Sequence, residues 1–189
     1  MSTVMFRWFA ERSARREAAE KIYDAIVAQS RAPVFYMRCG VPDTLLGRFD
    51  MLVIHMFIVL QNLRKLGGKE GELLGRDVIE AFIREMDSMV RDLGVSDPQV
   101  PKEVQKIANV FFAQLTVYID AMERRDPQAM AEAIRKSFQQ GEGNVRVAEA
   151  ELTSYVLESI KQIGIMPLNM LLQGKILFPD VKAISRHAV

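Results

Sequence analysis

Val41-Pro42-Asp43-Thr44-Leu45-Leu46-Gly47-Arg48-Phe49-Asp50-Met51, continued to Leu60, decides the fold of this chain. The stretch joins a proline turn, a helix start, an Arg and an Asp two residues apart, and the run Met51 to Leu60, broken only by His55. Pro42 fixes its own φ, and Asp43 or Thr44 suits the cap of a following helix. A helix that is apolar on all sides cannot face water. It is expected either at the centre of a bundle or in a surface that receives another apolar segment.

Helical spacing of apolar residues continues on both sides of it. A first helix is expected over 5–30, with Ala18, Ile22, Ala25 and Ile26 inward and Pro33 beyond its end. The apolar helix follows over 44–66, closed by Gly67-Gly68. Leu74, Val78, Phe82, Met86, Met89 and Leu93 form the stripe of a third helix over 71–93, stopped by Gly94. Pro101 opens a fourth, with Val104, Ile107, Phe111, Leu115, Ile119 and Met122 buried. Asp126-Pro127 opens a fifth, carrying Met130, Ile134 and Phe138. Gly141-Glu142-Gly143-Asn144 reads as a linker to a sixth helix from Val145, with Ala148, Leu152, Val156 and Ile163 inward and Pro167 as its break. A short apolar piece, Leu168 to Leu172, ends at Gly174, and Ile176 to Pro179 is extended or irregular. No run alternates strictly. The expectation is an all-α single domain over 1–189, a bundle of about six helices with short loops, antiparallel neighbours and an irregular C-terminal tail.

Composition narrows the function classes. Hydrophobic residues at 49% and charged residues at 26% describe a globular chain. A formal net charge of +1 gives no global pull toward nucleic acid, so DNA is not an expected partner. The single cysteine, Cys39, excludes an intramolecular disulfide and a thiolate metal cluster, and suits a half-buried structural thiol. Met51 to Leu60 is about half of the ~20 residues a membrane span requires. Glu11 and the N-terminal arginines interrupt any signal-like apolar stretch, so a chain that stays in its compartment of synthesis is expected.

Chemistry-bearing residues are sparse. Neither His55 nor His187 has a carboxylate three residues before it, because Leu52 and Ile184 stand there, so no metal site is expected. Gly68 to Gly75 follows no strand and lacks the Lys-Ser/Thr ending of a phosphate loop. His55 suits a core histidine bonded to a carbonyl or carboxylate, or a group at the edge of a partner groove. Arg48 and Asp50 point apart on a helix, so each needs a partner elsewhere: Asp87 or Asp92 for Arg48, and Arg91 for Asp50, clamping the second helix to the third. Eleven methionines, among them Met51, Met56, Met86, Met89, Met122, Met166 and Met170, suit either core filling or an adaptable apolar surface. Arg7, Arg12, Arg15 and Arg16 alternate with Trp8 and Phe9 at the N-terminus. That pattern suits an anionic membrane surface or ribosomal RNA, or the frayed start of a helix.

Val41 to Phe57 (VPDTLLGRFDMLVIHMF) resembles the signature of the ubiquinol–cytochrome c chaperone family, the assembly factors of the cytochrome bc complex. A second block fits in order: Met86-Asp87, Arg91-Asp92-Leu93-Gly94-Val95, Asp97, Val100-Pro101-Lys102 and Phe111-Phe112. The resemblance covers roughly 15–122, with 145–189 as a C-terminal helical extension. It departs at Leu46, where an acidic residue is expected, and at Ala113-Gln114, where Gly-Arg is expected. It implies a chaperone with no catalysis and no cofactor. The client is newly made cytochrome b or its assembly intermediate, held beside the membrane, with a small partner protein and the ribosome nearby. The cytoplasmic face of the inner membrane is the expected place, or the matrix side in a eukaryote. The partner surface is expected where the two blocks meet: Asp43, Gly47, Arg48, Phe49, Asp50, His55, Gly94 and Val95. Two alternatives stand beside it. One is a bundle that binds haem, quinone or lipid among His55, Cys39 and the methionines, and the other a small enzyme using His55 with Asp50 or Asp87.

Overall fold

Seven consecutive buried side chains, Val53 to Val59, set the architecture. The computed structural model of the chain describes residues 2–66, 68–142 and 145–180, with side chains at 9–65, 68–139 and 145–180. Its helices are α1 (Ser2–Ser30), α2 (Pro33–Met37), α3 (Leu45–Leu66), α4 (Gly68–Asp92), α5 (Val100–Glu123), α6 (Pro127–Glu142), α7 (Glu149–Gly164) and α8 (Leu168–Leu171). No strand occurs among the described residues, and the fold is an all-α bundle. The six long helices are those that the apolar spacing predicts. His187, Gly67, Gly143 and Asn144, read above for a metal site, a cap and a linker, lie outside the described residues.

α3 is the axis. α1, α4, α5, α6 and α7 all pack against it. It is long and apolar enough to cross a membrane, yet 67% of that stretch is buried inside the bundle. Chain neighbours run antiparallel: Leu60 and Leu63 of α3 lie beside Gly75 of α4, and the Phe82 ring of α4 stacks 4.5 Å from Phe111 of α5. α1 runs parallel to α4 instead. Arg15, Arg16 and Glu20 meet Asp77, Glu80 and Arg84 in that order.

Three local differences from the expected elements have physical causes. Pro33 does more than end α1: it opens the short α2, whose Phe35 is fully buried. α4 starts at Gly68, ahead of the expected 71, because Gly71 serves packing rather than termination. A Cβ there would sit 2.3 Å from the Leu63 carbonyl oxygen of α3. α7 starts at Glu149, not near 145, because 145–148 runs extended against the turn that precedes α3. The Ala148 amide donates to the Cys39 carbonyl at 2.8 Å, and a Cβ on Gly40 (φ +68°) would lie 2.8 Å from the Arg146 carbonyl.

A buried polar chain ties α1, α3 and α7 together. His55 is fully buried, with Nδ1 2.7 Å from the Met51 carbonyl and Nε2 2.8 Å from the Tyr155 hydroxyl. A carbonyl only accepts, so Nδ1 carries the proton and Nε2 accepts from Tyr155. Gln29 donates to the Tyr155 oxygen at 3.1 Å. Phe35, Tyr155 and Phe178 ring the imidazole, each centroid 5.4 Å away. Phe178 belongs to the irregular tail, which crosses α1 at Gly174 (φ +75°) and folds over His55. Burial pushes the imidazole pKa from 6.5 down to about 4.

Two predictions follow from this packing. Replacing Gly71 with alanine should cost roughly 1–3 kcal/mol through the backbone clash with α3. Alanine at Gly75, where a Cβ meets only side-chain carbons at 3.6 Å or more, should be neutral or gain up to ~1 kcal/mol. Urea denaturation of the two variants separates them. For His55, the unfolded chain takes a proton below pH 6.5 and the native one only near 4. Stability should be unaffected by this group above pH 6.5, then fall by ~1.4 kcal/mol per unit toward pH 4, about 3 kcal/mol in all. Denaturation between pH 7 and 5 should show a shallower slope in His55→Gln than in the parent.

Candidate functional site

The two blocks that stand out in the sequence are devices for ending helices. At the start of α3 the Gly47 amide donates to Thr44 Oγ1 at 3.2 Å, so Thr44 is the cap and Asp43 is not. Gly47 is buried because the Pro42 carbonyl tucks against it: a Cβ there would be 2.1 Å from that oxygen. Asp43 is thereby left to accept from Arg48 Nε at 2.7 Å on the surface, and that bond holds its carboxyl below the usual range.

At the end of α4 the Gly94 amide donates to the Arg91 carbonyl and the Val95 amide to the Val90 carbonyl. Gly94 has φ +80°, so this is a Schellman motif with glycine at the left-handed position. Val95 packs onto the Val90, Val100 and Val104 cluster, completing the apolar contact that accompanies the motif. Arg91 bonds both Asp87, one turn back, and Asp97 in the following loop. Gly94 and Val95 therefore act on helix termination and the α4–α5 connection.

The expected clamp between α3 and α4 is not made. Arg48 pairs with Asp43 rather than with Asp87 or Asp92, and Arg91 pairs with Asp87 and Asp97 rather than with Asp50. Asp50 is buried and turns to α5, where Gln114 Nε2 donates to it at 2.8 Å. Residue 114 is where the resemblance leads one to expect arginine, and here an amide makes the link without a second charge. His55 does not reach a groove edge, and its nitrogens bond Met51 and Tyr155 rather than the Asp50 or Asp87 that an enzyme would need. Cys39 is buried, and burial pushes its thiol up. No three His, Cys, Asp or Glu side chains gather as a metal site among the described residues.

What the two blocks do bring together is an apolar groove of about 440 Å³. Leu45, Leu46, Phe49 and Leu52 from the start of α3 face Met86 and Met89 of α4 across it. Ile107 and Val110 of α5 and Tyr23 and Val27 of α1 make the remaining walls, with Arg31, Arg48, Lys106 and Glu85 also lining it. Leu45 is 66% exposed, Leu46 47% and Val110 49%, so the groove opens to solvent. A larger groove of about 750 Å³ lies at the other end of the α3–α4 pair, over Gly71 and Gly75. Its lining mixes Arg64, Arg76 and Arg84 with Glu72 and Glu80, and of the second block only its last residue, Phe112, reaches it.

Of the expected partner residues, Arg48 and Phe49 line the smaller groove, while Asp43, Gly47, Asp50, His55, Gly94 and Val95 do not. Tyr23, Arg31, Ile107 and Val110 escaped the sequence reading. α1 carries no motif, and which of its residues meet α4 is set by packing across more than sixty positions of chain. At the N-terminus, Arg15 and Arg16 bond Asp77 and Glu80 of α4, whereas Phe9 and Arg12 are exposed. The side chains of Arg7 and Trp8 lie outside the described residues.

The helix-end geometry assigns different weights to Arg48 and Asp50. Arg48→Met should leave the melting temperature close to the parent value, because both members of its ion pair are exposed. Asp50→Ala should cost about 1–3 kcal/mol, because it removes the partner of a Gln114 amide whose oxygen is already buried without one. Thermal melts of both variants check the contrast.

Comparison with known proteins now has a geometry to meet. The curated ubiquinol-cytochrome c reductase complex assembly factor 1 of Mus musculus is 24% identical over 160 residues, 84% of this chain and 54% of that protein. Its Homo sapiens counterpart is 24% identical over 121 residues, 64% of this chain and 40% of that protein. The chain thus spans about half the length of the curated relatives it matches. The crystal structure of the Cbp3 homolog from Brucella abortus superposes with a TM-score of 0.80 at 29% identity, covering 96% of this chain and 98% of that one. The family described as Ubiquinol-cytochrome C chaperone matches residues 37–178, from the end of α2 through α7 to the Phe178 that closes over His55. The chain belongs to the ubiquinol-cytochrome c chaperone family.

Proposed function

We propose that this protein is a holding chaperone in the assembly of ubiquinol–cytochrome c reductase, and that its client is newly made cytochrome b or an early intermediate containing it. The family and the names of the relatives support the assembly role. The observation that carries the holding step is the open groove at the start of α3, with Leu45 and Leu46 exposed beside Met86 and Met89. Exposed apolar surface gathered into a groove of this kind marks a partner site. Methionine walls adapt to varied apolar shapes, as a client caught before it folds requires. The role is to shield and release, with no bond made or broken.

The place of action is the membrane face on which the client's segments emerge. The first turns of α1 support this, because Phe9 and Arg12 stand exposed at the end of a helix whose arginines at 15 and 16 are held by α4. An exposed aromatic beside an exposed arginine suits the surface of an anionic bilayer. A small partner protein and the ribosome are further contacts of the same reading.

Capture of cytochrome b from solubilised membranes of the native organism tests it. Leu46→Asp and Met89→Asp should each lower the recovered cytochrome b about tenfold or more, as loss of a central apolar anchor does. Both variants should keep the parental circular dichroism spectrum. Undiminished capture by both well-folded variants overturns the groove as the client site.

A further inference from the structure

The groove carries polar chemistry that an apolar client alone leaves unused. Tyr23 lines it at 6% exposure, and its hydroxyl is buried with no hydrogen-bond partner. Leaving such a donor unpaired costs about 1–3 kcal/mol, and the free protein bears that cost. Burial raises the Tyr23 pKa, so the group stays a neutral O–H donor. Arg31, eight residues on, lines the same groove and is exposed, with no ion pair among the described residues. The Glu85 charge raises the Tyr23 pKa further, and the Arg31 charge opposes it more weakly. Arg48 and Lys106 also line the groove, each bonded to a carboxylate, Asp43 or Glu103, that does not. Glu85 is the one carboxylate in the lining.

We infer that the groove selects an apolar helical segment bearing a carboxylate side chain, with Tyr23 of α1 and Arg31 just beyond its end as the specificity-determining residues. This rests on the client reading of the groove. Arg31 can only donate and the Tyr23 hydroxyl has an O–H to give, so an acceptor complements both, and a guanidinium makes its strongest bonds to a carboxylate. The occupant that suits these walls, themselves long helices, is a helix laying one apolar face against them. A helix with side chains is about 10–12 Å across, so a groove of this size takes one face of it and leaves the opposite face free. The carboxylate sits where Arg31 meets solvent and is only partly desolvated, which keeps the cost of carrying it in small. Glu85 opposes it, and that opposition makes the inference testable from both directions.

The test uses the full chain and a labelled synthetic helix of about 20 apolar residues with one central Glu. Counterparts carry Gln or Lys at the same place, and binding is read by fluorescence anisotropy in dilute detergent. The Glu peptide should bind about tenfold more tightly than the Gln peptide, as one charge-assisted hydrogen bond allows. Lys should bind most weakly. Arg31→Gln and Tyr23→Phe should each remove the preference for Glu while leaving the Gln peptide's affinity unchanged, and Glu85→Gln should widen it. Equal binding of the Glu and Gln peptides overturns the inference, and so does a preference that survives Arg31→Gln. If Leu46→Asp still abolishes capture of cytochrome b in that event, the client reading stands without it. No binding of any peptide, together with undiminished capture by Leu46→Asp, removes both.

Discussion

The structure depends on one constraint: α3 is apolar around its whole circumference and has to be covered on every side. Met51, Val53, Ile54, Met56, Phe57, Ile58 and Val59 are all buried to 1% exposure or less. At about 1.5–3 kcal/mol for each such side chain, they represent roughly 10–20 kcal/mol of transfer free energy. That equals or exceeds the net stability of a typical domain. Five helices are needed to cover one, which is why α1 and α7 return to α3 from distant parts of the chain. The tail completes the cover when Phe178 closes over the one polar side chain in the middle of the run.

Because the wrapping is nearly complete, the polar side chains that α3 itself buries are bonded within it. Burial keeps His55 to a single proton, and the Met51 carbonyl and the Tyr155 hydroxyl place that proton on Nδ1. Asp50 takes an amide from α5. These bonds fix the rotation of α3 about its axis, which burial alone leaves loosely defined, since every face of this helix is apolar. Rotation in turn decides which side chains of its first turns point outward. The groove is thus a consequence of polar bonds deep in the bundle as much as of its own lining.

How far the sequence could be read follows from the range of each interaction. The apolar run, the stripes and the left-handed glycine at position 94 are local patterns, so the six long helices and the end of α4 were legible. Gly71 was misread as a helix start, since a glycine that admits a neighbouring carbonyl looks the same in sequence as one that stops a helix. The partners of Arg48 and Asp50 were assigned to α4 because the oppositely charged residues stand there. Arg48 found Asp43 five positions back, and Asp50 found an uncharged amide on α5. The α1 wall of the groove was invisible for a different reason. Tyr23 within α1 and Arg31 just past its end are ordinary residues until α1 lies parallel to α4, and no local pattern states that it does.

The helix-ending residues and the groove are connected by the same geometry. Antiparallel pairing brings the first turn of α3 beside the last turns of α4, so the cap at Thr44 and the Schellman turn at Gly94 end neighbouring helices at one end of the bundle. Both ends must stop cleanly there for Leu45, Leu46 and Met89 to stand open while Val53 to Val59 stay sealed a few turns away. A holding site placed on the sealed part would require the bundle to open, at a cost comparable with its whole stability. Placed where the cover stops, it is formed before the client arrives, and binding has little ordering to overcome. On the reading proposed above, Thr44, Gly47 and Gly94 shape the groove without lining it: they hold two helix ends still, and the walls are made by Leu45, Leu46, Phe49, Met86 and Met89 between them.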